Sequence, residues 1–82
     1  EARLAATLLR LAGREGVATK HGVRLPYHLT RQSLADMAGT TVETAIRVLG
    51  RWAKEDLLED DDGRLVLVDP DGLRERAEGE AE

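Results

Sequence analysis

Leu29-Thr30-Arg31-Gln32-Ser33-Leu34-Ala35-Asp36-Met37-Ala38-Gly39-Thr40-Thr41-Val42-Glu43-Thr44-Ala45-Ile46-Arg47-Val48-Leu49 carries two helical patterns joined by three residues. Thr30 stands as an N-cap ahead of Leu34, Ala35 and Ala38, a spacing that predicts a short helix of about two turns, and Gly39 stops it. Beyond Gly39-Thr40-Thr41, Ala45, Val48, Leu49 and Trp52 recur at i, i+3, i+4 and i+7, which predicts a second helix over about residues 42–56. Two helices this close, with a glycine in the turn, form a helix-turn-helix candidate.

Toward the N-terminal side, Leu4, Leu8, Leu11 and Ala12 share one face and Arg3, Arg10 and Arg14 the other, predicting an amphipathic helix over about residues 2–14. Gly13 and Gly16 end it, and Val17 to Gly22 reads as a polar connection. Val23 to Leu29 alternates as a strand does, and Pro26 restricts that strand to a sheet edge. Toward the C-terminal side, Leu57-Leu58 and Leu65 to Val68 flank Glu59-Asp60-Asp61-Asp62-Gly63; Asp-Gly between two extended runs predicts a hairpin. Asp69-Pro70 closes the second strand, and Asp71 to Ala77 is expected to form a short last helix with Leu73 turned inward.

This order is that of a winged helix-turn-helix: mainly α with a small β component (α+β), a three-helix core and a β-hairpin wing. One winged-helix domain is expected over residues 1–78, with 79–82 as an acidic C-terminal tail. At 82 residues and 41% hydrophobic, the chain holds material for one modest core and excludes a second. The absence of Cys excludes a disulfide framework, a thiolate metal site and a thiol nucleophile, and fits a reducing, cytoplasmic setting. No apolar run approaches the roughly 18 residues of a membrane span. The chain opens at Glu1 inside a helical pattern, without an initiator Met, and so reads as a piece of a longer protein.

The net charge of −4 is unevenly spread. Residues 69–82 hold six acids and two bases, and Glu59 to Asp62 adds four acids, so the rest of the body carries about +4. On a helical wheel counted from Glu43, Ala45, Val48, Leu49 and Trp52 fall between about 140° and 240°, whereas Glu43, Arg47, Gly50, Arg51 and Lys54 fall between about 340° and 80°. Ile46, near about 300°, borders the charged face, and Val42 lies near about 260°.

In a DNA major groove, Arg47 would donate to guanine O6 and N7, Glu43 would accept from a cytosine amine, and Ile46 or Val42 would touch a thymine methyl. Arg31 and the hydroxyls of Thr41 and Thr44 would hold phosphates, helped by free backbone N–H groups at the helix starts. Two plainer readings stand beside this one. Glu43 and Arg47 at i, i+4 fit a surface ion pair, and Thr40-Thr41-Val42-Glu43 fits a capping box that would tie Glu43 to the backbone. His21 and His28, with no other His or Cys and no acid close by in sequence, read as surface or strand-edge residues, and Trp52 as a core anchor. No Ser/His/Asp grouping, phosphate loop or carboxylate pair points to an enzyme.

The stretch from Leu29 to Leu49 resembles the helix-turn-helix signature of the Crp/Fnr transcription regulators, "L/I-T-R-Q-x-L/I-A/G-x-x-x-G, two residues, x-E-T, two residues, R-x-L". Arg3 to Leu11 resembles the helix that follows the dimerisation helix in that family, and Leu57 to Val68 its wing. The resemblance implies a C-terminal DNA-binding domain detached from an N-terminal sensor and dimerisation helix. It implies no cofactor in this chain, an effector bound elsewhere, double-stranded DNA as partner, and a homodimer in the full-length protein.

Residue by residue, the resemblance implies that Arg47 and Glu43 read a G·C pair. It likewise implies that Arg31, Gln32, Thr41 and Thr44 hold phosphates, and that Arg64 after Gly63 is the basic wing residue. Apart from the resemblance, Arg51 and Lys54 lie further along the charged face, where Arg51 fits either a phosphate contact or plain solvation. The loop Ala18 to Gly22 matches a surface through which some members touch RNA polymerase. Val42 replaces an Arg of the cyclic-AMP receptor branch, which implies a TGA-type half-site core of the Fnr kind, and Ile46 replaces the usual Gly or Ser. Asp60-Asp61-Asp62 at the wing tip would repel phosphate, leaving Arg64 as the expected wing contact. A winged helix serving as a protein-interaction module is the alternative from another class.

Overall fold

Leu4, Ala5, Leu8 and Leu11 face inward from α1 (Ala2–Glu15), which runs one residue beyond the predicted end. The structure is a computed structural model and describes residues 1–79; residues 80–82 of the predicted tail lie outside the described residues. After α1 come β1 (Val17–Ala18), β2 (Val23–Arg24), α2 (Arg31–Ala38), α3 (Val42–Lys54), β3 (Leu58–Asp61), β4 (Arg64–Leu67) and α4 (Pro70–Gly79). Four helices and a four-stranded antiparallel sheet make a winged helix, as the order of sequence patterns predicts.

Both helices of the central motif start on a threonine cap. Thr30 Oγ1 accepts from the N–H of Ser33 at 3.0 Å and Thr41 Oγ1 from that of Thr44 at 3.2 Å, satisfying backbone donors that the first helical turn leaves open. Gly39 ends α2 in the left-handed region at φ 71°. The end of α3 comes two residues before the predicted one. Asp56 turns left-handed at φ 62°, its N–H reaching Ala53 O at 3.2 Å, while the Leu57 N–H reaches Trp52 O at 2.9 Å. This Schellman closure redirects the chain into the wing.

The sheet order is β1-β2-β4-β3, and it corrects the reading of Val23 to Leu29. Of that stretch only Val23 and Arg24 are strand residues, with the Leu25 N–H also reaching Leu65 O at 2.9 Å, and β2 lies inside the sheet, between β1 and β4. Pro26 therefore ends the strand rather than placing it at an edge. The edge on that side is β1, within the segment read as a polar connection. Thr19 closes its turn to β2 by donating through both its N–H and its hydroxyl to Gly22 O, at 2.7 and 3.0 Å.

The wing hairpin has a two-residue turn, Asp62-Gly63, with φ of 55° and 84°. Two successive positive φ angles match a type I′ turn, which explains why Asp-Gly announces the hairpin so clearly. Asp60 Oδ1 accepts from the Gly63 N–H at 2.8 Å and braces the turn. α4 starts on Asp69, whose Oδ1 accepts from the Gly72 N–H at 3.0 Å, with Pro70 at the first helical position. It runs to Gly79 rather than Ala77 and buries Leu73 fully.

The core gathers Leu8, Leu34, Leu49, Trp52, Leu65 and Leu73, one or two from each major element. Each such side chain contributes roughly 1.5–3 kcal/mol through removal from water. Tyr27 ties the loop after β2 to the end of α1 by donating its hydroxyl to Glu15 Oε1 at 2.9 Å. Burial, and then this bond, raise its phenol above the ordinary tyrosine value. Among the described residues no helix is long and apolar enough to cross a membrane.

Candidate nucleic-acid interface

Ala45, Val48, Leu49 and Trp52 are buried, which turns the opposite face of α3 outward. Glu43, Ile46 and Arg47 are exposed on that outward surface, Ile46 at 55%, and Val42 is half-buried at the first helical position. A β-branched apolar side chain this exposed beside two charges gains nothing from burial. Contact with an apolar group of a partner, such as a thymine methyl, would give it a role.

Neither plainer reading of Glu43 holds in the structure. The cap of α3 is Thr41 rather than Thr40, and the residue three positions on is Thr44, so Glu43 stands outside the cap and its carboxylate is not fixed to the backbone. Nor does Glu43 pair with Arg47. The ion pairs among the described residues are Arg24–Asp61, Arg51–Glu1, Arg74–Asp71 and Arg76–Glu55. Both base-reading candidates therefore present their polar atoms to solvent.

The predicted phosphate residues divide into free and engaged groups. Arg31, half-buried as the first residue of α2, has no ion-pair partner among the described residues, and the same holds for Arg64 at the start of β4. Thr41 donates its hydroxyl proton to Thr44 Oγ1 at 2.9 Å while capping the helix, leaving the hydroxyl proton of Thr44 free for an outside acceptor. Gln32 donates from its amide to Asp36 Oδ1 at 2.9 Å, which occupies one of its two amide protons. Arg51 differs from expectation: its guanidinium is paired with the Glu1 carboxylate.

His28, read from sequence as a plain surface or strand-edge residue, lies against the wing turn at Gly63. No short-range sequence signal announces this contact, because the two lie 35 positions apart in the chain. The acidic wing is also less free than its composition suggests. Asp60 braces Gly63, and Asp61 lies 3.7 Å from Arg24.

A profile of the Crp-like helix-turn-helix domain matches residues 2–76. Electron transport regulator A of Shewanella oneidensis is 36% identical over 69 residues, which is 84% of this chain and 28% of that protein. Among solved structures, the CO-dependent transcription factor CooA from Carboxydothermus hydrogenoformans superposes with a TM-score of 0.82 at 31% identity, covering 94% of this chain and 37% of that one. A Crp/Fnr-family transcriptional regulator from Thermus thermophilus gives 0.80 at 33% identity, covering 94% and 39%. The chain thus spans between a quarter and two fifths of the length of these regulators, none of which is an enzyme. Signature, fold and coverage agree: the chain belongs to the Crp-like helix-turn-helix domain family.

Proposed function

We propose that this chain is the DNA-binding output domain of a Crp/Fnr-like transcription regulator, with α3 in the major groove of an inverted-repeat operator. One observation carries the reading: Glu43, Ile46 and Arg47 stand exposed on one side of α3, the two charges without an intramolecular partner among the described residues. Arg47 donates to guanine O6 and N7, Glu43 accepts from the cytosine amine, and Ile46 and Val42 meet thymine methyls, which together select a TGA-type core. Arg31, Thr44 and Arg64 hold the backbone in register without reading sequence.

The full-length protein binds as a homodimer, one domain per half-site, in the cytoplasm, and its effector acts on a sensor outside this chain. The exposed turn 18–22 between β1 and β2 is the surface offered to RNA polymerase. The test is Arg47→Ala in the chain joined to a two-stranded coiled coil, measured against duplexes varied one base at a time. A loss of about 1–3 kcal/mol confined to the intact core, with relaxed preference at one base pair, supports base reading. Equal weakening on every duplex overturns it.

A further inference from the structure

We propose that His28 is a DNA-backbone contact that joins the wing to the N-terminal end of α2, an inference that rests on the DNA-binding reading above. His28 lies two residues before the Thr30 cap, and its side chain is exposed. Its ring has no hydrogen-bond or ion-pair partner among the described residues. A methyl group at Gly63 would overlap His28 Nδ1 and stand 2.6 Å from Cε1, so this edge of the imidazole rests on the bare Cα of the wing turn. The Nε2–Cδ2 edge is left facing away from the turn, with a nitrogen available to donate.

The position is defined from both sides. Gly63 is followed by Arg64 and Thr30 by Arg31, the two arginines assigned to the phosphates on the wing and on α2. His28 stands where these two elements meet. Of the wing acids, Asp60 is held by the Gly63 N–H and Asp61 by Arg24, while Glu59 on β3 and Asp62 in the turn are exposed and have no ion-pair partner among the described residues. A phosphate at the wing turn therefore has His28 and Arg64 as its donors, beside the exposed Asp62 carboxylate. A charge-assisted N–H···O bond from the imidazole to a phosphate oxygen fits that position.

The experiment measures affinity of the coiled-coil-joined chain at pH 6 over a series of salt concentrations, on an operator-like and an unrelated duplex. His28→Ala, His28→Gln and His28→Lys are compared with the unsubstituted chain, each first checked for an unchanged melting temperature. His28→Ala is expected to weaken binding to both duplexes alike by about three- to tenfold and to lower the slope of log K on log salt by about one, with His28→Lys restoring both. Unsubstituted binding with no change in any variant, or equal weakening by Lys and Ala, would overturn the His28 contact alone. Failure of the unsubstituted chain to bind either duplex would overturn the contact together with the reading beneath it.

Discussion

Glu43 and Arg47 stand one turn apart on the exposed face of α3 and make no ion pair with each other. An i, i+4 pair of this kind stabilises a helix by only about 0.3–0.5 kcal/mol, so leaving it open costs the fold little. Arg47→Ala and Glu43→Gln should therefore change unfolding free energy by less than about 0.5 kcal/mol in urea titrations, while both alter base preference. A stability loss above about 1 kcal/mol from either would show that these side chains hold the domain together.

Arg31 is the complementary case. It is an unpaired arginine at the first position of α2, and the proposed reading assigns it to the DNA backbone and not to the bases. Arg31→Ala should weaken binding to related and unrelated duplexes alike and lower the salt slope by about one. Fluorescence anisotropy across a salt series measures both quantities. A loss confined to one sequence would make Arg31 a base reader instead.

The Thr41 cap links the fold to the interface, because it orients the first turn of α3. Thr41→Ala removes the acceptor for the Thr44 N–H and should cost about 0.5–2 kcal/mol in denaturant unfolding, whereas Thr41→Ser keeps the oxygen and should stay close to the unsubstituted value. If the two variants lost equal stability, the methyl group and not the cap would be responsible.

Asp56 holds a left-handed conformation at φ 62° where the Schellman closure ends α3. Glycine adopts this conformation without steric penalty, so Asp56→Gly should raise stability by roughly 0.5–1 kcal/mol. Gly63 is the opposite case, since its φ of 84° and the imidazole of His28 both exclude a side chain. Gly63→Ala should destabilise the domain by about 1–3 kcal/mol. Thermal unfolding of the two variants should shift in opposite directions, and a shared direction would refute the assignment of strain.

Much of this architecture is legible in the chain because it rests on local chemistry. Thr30 and Thr41 are caps by residue type and position, Asp62-Gly63 suits a turn with two positive φ angles, and the spacing of Ala45, Val48, Leu49 and Trp52 aims α3. What escaped depends on distant residues. The two-residue strand Val17–Ala18 is the exception: its partners Val23 and Arg24 lie only five to seven positions on, and it escaped because two residues are too few to show a period. The Arg51–Glu1 pair and the His28–Gly63 contact join residues far apart in sequence. The capping-box reading of Glu43 failed by a single position, since either of two adjacent threonines could have started the helix.

On the proposed reading, the exposed Glu43–Arg47 face reads DNA sequence. The most direct measurement is selection from randomised duplex DNA by the chain joined to a dimerising coiled coil, carried out at two salt concentrations. If the face reads DNA sequence, an inverted repeat with a TGA-type core is enriched at both concentrations, and the enrichment is lost on Arg47→Ala. Weak binding that ignores sequence and disappears at the higher salt would contradict it, and would favour a protein partner for the same face.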